Sequence, residues 1–138
     1  MKRLLILLLT VFTTSTVTFS QKKQIDSVQT LIKADKDDTI KVAHLNYLAS
    51  LYSKQKKYKD AEKHLLNALS IAEQTGSLTS IKSVHSDLSV LYKEANKPTK
   101  ELEHYKKYIT LRDSIANETK KSTALAELET KKTAETEN

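Results

Sequence analysis

The chain has 138 residues, 38% of them apolar, enough for one domain with a layered helical core but not a deep one; a single Gly and a single Pro exclude an all-β fold, which needs frequent turn residues. With no Cys, disulfides, thiol chemistry and a lipidated N-terminal cysteine are excluded. The formal net charge of +6 comes almost wholly from lysine, with Arg3 and Arg112 the only arginines, so no nucleic-acid partner is expected, because base reading leans on bidentate guanidinium contacts.

Residues 1–20 stand apart. Lys2 and Arg3 precede the apolar run Leu4 to Phe12, and a Ser/Thr-rich stretch follows with small residues at Thr18 and Ser20. This is the pattern of a secretory signal peptide, with cleavage expected between Ser20 and Gln21 and the mature protein exported, periplasmic or secreted. The run is too short to cross a bilayer core of about 30 Å as a helix, and no later segment is long enough either. No transmembrane span is therefore expected after signal cleavage.

From residue 21 to 131 the apolar positions recur at helical spacing, which predicts an all-α domain. Ile25, Val28, Leu31 and Ile32 mark a helix over about 23–34. Asp37 and Asp38 suit the start of the next, about 38–54, since a short acceptor satisfies free N–H groups and a carboxylate favours the positive helix end. A calcium loop at Asp35 fails, with Thr39 and Ile40 standing where a carboxylate or amide and a Gly are needed.

Leu45, Leu48, Ala49 and Tyr52 form the apolar stripe of that helix. Ala61, Leu65, Ala68 and Ala72 form the stripe of the following one, about 58–74. Two such stripes can hide only against each other and their neighbours. Gly76 falls where a helix stops and Pro98 where one starts, bracketing a helix over about 78–95. A shift of 40 residues carries Leu48, Leu51, Tyr52 and His64 onto Leu88, Leu91, Tyr92 and His104, so the helix pair is repeated in divergent form. A helix over about 98–116 is rich in Tyr105, Tyr108, Ile109, Leu111 and Ile115. A half repeat over about 119–131, carrying Leu125 and Leu128, is expected to stack on it. Only Ala134 is apolar beyond Lys131, so 132–138 is expected to be a disordered tail.

No nucleophile, metal or phosphate motif is present, so neither catalysis nor a cofactor is expected. His64 and His104, one period apart, read as solvated rim residues, and His85, which replaces a bulky apolar residue, as a partly buried, hydrogen-bonded core histidine. Lys54, Lys56, Lys57, Lys59 and Lys63 surround the first turn, and Lys93, Lys97 and Lys100 the second. Such a rim keeps turns soluble and would steer an acidic partner.

The order Leu45, Leu48, Ala49, Tyr52, Ala61, Leu65, Ala68 resembles the tetratricopeptide repeat, over about residues 24–130. That resemblance implies antiparallel helix pairs stacked as a short solenoid that binds protein or peptide ligands. Self-association is a further expectation for so short an array. The chain departs from the pattern at Glu101, where close helix contact wants Ala; the contact survives if Glu101 turns outward and Leu102 replaces it. The stretches Tyr105 to Ile115 and Ala126 to Lys132 look like the end of the array in exported bacterial tetratricopeptide sensor proteins, which implies an alternative role as a sensory input module acting through a separate output protein. In the family, ligands lie on the concave face of the first-type helices. The matching places here are Ala43, Asn46, Ser50 and Ser53, then Ser83, Ser86, Val90 and Lys93. The family's carboxylate-clamp pattern is not matched at Asn46 and Ser50, so chaperone-tail binding is not implied.

Overall fold

The structure, a computed structural model, describes residues 20–136. Among these the fold is all-α: α1 (20–34), α2 (Asp38–Lys54), α3 (Tyr58–Thr75), α4 (Leu78–Glu94) and α5 (Pro98–Thr136). The signal peptide expected over 1–20 lies outside the described residues except for Ser20, which opens α1.

Local chemistry sets the helix ends. The Asp37 carboxylate accepts from the backbone N–H of Thr39 at 2.8 Å and of Ile40 at 3.1 Å, capping α2. Ser77 does the same for α4, accepting from the Ser80 N–H at 3.3 Å. After α2, α3 and α4 the chain turns through a left-handed residue: Lys56 at φ 59°, Gly76 at φ 66° and Asn96 at φ 55°. Each turn closes in the same way. Lys57 N–H donates to Tyr52 C=O at 3.0 Å, Ser77 N–H to Ala72 C=O at 3.2 Å and Lys97 N–H to Tyr92 C=O at 2.8 Å. This is the Schellman closure, which satisfies carbonyls that the helix itself leaves free. Its recurrence at 56, 76 and 96 is the 40-residue period read in backbone geometry, one left-handed turn per helix.

Consecutive helices pack on each other, α2 on α3, α3 on α4 and α4 on α5, and α2 also meets α4. The main core joins Val42, Leu45 and Ala49 of α2 to the alanines and Leu65 of α3 and to Val84, Leu88, Leu91 and Tyr92 of α4. A second cluster seats α1 on α2 through Ile25, Val28, Leu48 and Leu51. Ala61, Ala68 and Ala72 are fully enclosed, which is why three of the four stripe positions on α3 are alanine: a larger side chain at those places would push α2 and α4 off α3. The predicted core positions Leu45, Leu48, Ala49, Ala61, Leu65, Ala68, Leu88, Leu91 and Tyr92 are all buried, and Tyr52 is partly covered.

The C-terminal part departs from expectation. The predicted break near residue 117 is absent, and α5 runs unbroken for 39 residues, taking in residues 132–136, where a disordered tail is expected. No helix-breaking Gly or Pro occurs after Pro98, and nothing in 117–118 offers a turn. Among the described residues no further helix folds back on α5, and Leu125 and Leu128 are exposed. So is half of Tyr105, and Tyr108 is only partly covered, so the two rings lie tilted against each other at 6.2 Å instead of joining a repeat core. Leu102 does not take over from Glu101. It is exposed, and Glu101 is the partly covered one, because the stripe running through His104, Tyr108, Leu111 and Ile115 fixes the rotation of α5.

Candidate functional site

The first-type helices α2 and α4 lie side by side and share one open face. Ser50, Ser83, Val90 and Lys93 are exposed on it, with Asn46, Ser53 and Ser86 partly covered. Two polar contacts tie the helices across this face: Asn46 Nδ2 donates to Ser83 Oγ at 3.4 Å, and the Ser53 hydroxyl donates to the Glu94 carboxylate. The Asn46 side-chain carbonyl is enclosed and has no hydrogen-bond partner. A role for Asn46 as an acceptor toward a ligand is therefore not what this conformation offers. Its amide instead bridges the helices.

Between α2 and α4 the face deepens into a cleft of about 130 Å³. Apolar atoms come from Ala49, Leu65, Val90 and Leu91; polar ones come from Ser50, Ser53, Lys54, Asp87 and Glu94. Asp87, which the sequence pattern did not single out, is half-buried here. Burial pushes its carboxyl up to about 6. The signal for it was present but weak, one turn before Leu91 and three residues before Val90, on the edge between the core and groove stripes.

Three histidines and part of the lysine rim serve packing. His64 stacks on Tyr52 at 5.3 Å and His104 lies against Tyr92 at the same 5.3 Å, one period on. His104 is buried, contrary to the solvated rim position expected for it, because α4 and α5 close over it. Its Nδ1 lies 2.9 Å from Nδ1 of His85, so one neutral ring donates to the other. Burial, with His104 and Lys107 adding to it, pushes His85 down to about 4, and burial lowers His104 as well. His85 is thus the hydrogen-bonded core histidine expected from its place in the repeat.

At the turns Lys57 sits over the Tyr52 ring at 5.9 Å, and Lys97 and Lys100 over Tyr92 at 5.7 and 5.0 Å. Lys100 also pairs with Glu62 at 2.9 Å, and Glu62 accepts the Tyr92 hydroxyl at 2.7 Å. Burial alone would raise the Glu62 carboxyl, but these hydrogen bonds outweigh it and hold it below the usual range. Burial and donation to Glu62 push Tyr92 up to about 12. Part of the expected basic rim is therefore committed to the second repeat's own packing. Among the described residues no group of three or more His, Asp or Glu is placed to hold a metal ion, and no helix is long and apolar enough to cross a membrane.

An all-helical array of antiparallel pairs, turned by repeated left-handed caps and open along its first-type helices, is a repeat scaffold whose surface contacts other proteins. Residues 40–114 match the family model of the tetratricopeptide repeat, and the chain belongs to that family, whose repeats are scaffolds and not catalysts. Comparison with curated proteins and with solved structures returned no match.

Proposed function

We propose that the protein is an exported scaffold that holds a peptide segment of a protein partner against the face shared by α2 and α4. The observation that carries this reading is that face itself: small or short side chains at Ser50, Ser83 and Ser86, an exposed Val90, and a cleft beneath them, where a helix facing a third layer would carry bulky apolar residues. Export rests on the residue pattern of 1–20. An acidic partner, which the lysine-rich turns would favour, is the weaker form of the proposal, since Lys57, Lys97 and Lys100 already lie over tyrosine rings. The unbroken α5, which runs on well past the part of the chain packed on α4, favours a second reading, a sensory input module that passes its signal to a separate protein.

The test is affinity capture from an envelope extract with the native protein and with a Ser50→Arg/Val90→Arg variant. Both positions are exposed, so the two long side chains should fill the cleft without disturbing the helices. Capture of a defined partner by the native protein and its loss in the variant, at unchanged helix content, supports the reading. Equal capture by both overturns it.

A further inference from the structure

We infer that the cleft between α2 and α4 selects a peptide carrying a lysine side chain, whose methylene stem would lie along Val90 and Leu91 and whose ammonium would meet Asp87. This deepens the groove reading above and rests on it. The cleft is amphipathic in the way a lysine is: an apolar lining from Ala49, Leu65, Val90 and Leu91, and carboxylates from Asp87 and Glu94.

The two carboxylates are not equivalent. Glu94 accepts the Ser53 hydroxyl, whereas Asp87 takes part in no hydrogen bond and no ion pair among the described residues. A half-buried carboxyl that nothing within the fold compensates is costly to ionise, and its upward shift to about 6 reflects that cost. An ammonium entering the cleft would offset that cost. Lys54 lines the same cleft, yet its ammonium is not within 4.0 Å of either carboxylate. It is the internal competitor for the place a ligand lysine would take. The cleft thus carries two negative groups against one positive group in a chain whose overall charge is +6, so a cationic side chain is the ligand its charge complements.

The experiment is an NMR titration of the isotope-labelled protein with acetyl-Ala-Ala-Lys-Ala-Ala-amide, with the norleucine peptide as the uncharged isostere. Saturable shifts at Ser50, Asp87 and Val90 are expected with the lysine peptide, with binding weaker by about tenfold or more for norleucine, the difference a charged hydrogen bond makes. On saturation the Asp87 carboxyl should titrate lower than in the free protein, a readout that a merely structural role would not move. Asp87→Asn should lose the discrimination between the two peptides, and Lys54→Ala should strengthen lysine binding by removing the competitor. Absence of saturable binding, or equal affinity for both peptides, overturns the inference. If that happens while the Ser50→Arg/Val90→Arg variant still loses its partner, the groove reading stands and the lysine specificity alone falls. Retention of the partner by that variant would instead remove the groove reading itself.

Discussion

Acidification should loosen the contact between α4 and α5, and the His85 and His104 pair gives the size of the effect. With Nδ1 facing Nδ1 at 2.9 Å, the pair can hold one shared proton but not two, because two imidazolium rings would point hydrogen at hydrogen. Glu103 and Lys107 on α5, Lys100 at its start and Glu62 on α3 complete the charged surroundings. His85 falls from 6.5 to about 4 in the folded protein, so between those values the unfolded chain binds more protons. Stability from this group is therefore complete above about pH 6.5 and is lost as the pH falls toward 4. Unscreened, the shift corresponds to about 3 kcal/mol; with solvent reaching the edge of the pair, about 1 to 2 kcal/mol is expected. Asp87 acts in the opposite sense, since its folded value of about 6 lies above the unfolded 3.8, and its penalty fades on acidification. The comparison therefore belongs in an Asp87→Asn background, with and without His85→Gln, where the introduced side chain keeps an amide for His104 and does not titrate. Urea unfolding followed by circular dichroism between about pH 7 and pH 4.5 should show the protein that retains His85 losing about 1 to 2 kcal/mol more than its His85→Gln counterpart. His64, which burial also lowers, is common to both and cancels. Equal losses would refute the buried pair.

Leu88 is fully enclosed at the centre of the main core, so Leu88→Ala should cost about 3 to 5 kcal/mol by chemical unfolding, while Leu66→Ala, at a half-exposed site, should cost well under 1 kcal/mol. Ala61→Arg should force a charge between α2 and α3 and cost about 3 to 5 kcal/mol, read as lost helical circular dichroism; a normal melt would show that Ala61 is not in the contact. Lys56 holds the left-handed conformation that Gly76 and Asn96 hold at the other turns, so Lys56→Gly should raise stability by about 0.5 to 1 kcal/mol in urea titration; no gain would mean that turn is not left-handed in solution.

The repeat was legible because its packing is periodic. Leu45, Leu48, Ala61, Leu65 and Ala68 recur at helical spacing and all become core, and the shift of 40 that aligns Tyr52 with Tyr92 also aligns the Lys56 and Asn96 turns. Caps were legible for the same local reason, Asp37, Gly76 and Pro98 each acting within a few residues of itself. What escaped the pattern depends on contacts between helices. The burial of His104 needs His85, nineteen residues away on another helix, and the exposure of Tyr105, Leu125 and Leu128 depends on whether a further helix folds back. Asp87 and the enclosed Asn46 carbonyl likewise take their character from how closely α2 approaches α4.

The most direct test of the central claim, that a partner lies on the face shared by α2 and α4, is site-specific photo-crosslinking in the native envelope. A benzophenone amino acid would be placed in turn at Ser50, at Val90, at Lys59 on the far side of the first turn, and at Leu128 on the exposed end of α5. The groove assignment predicts one crosslinked partner from Ser50 and Val90 and none from Lys59 or Leu128. Crosslinks from Leu128 or Lys59 with none from the groove positions would contradict it.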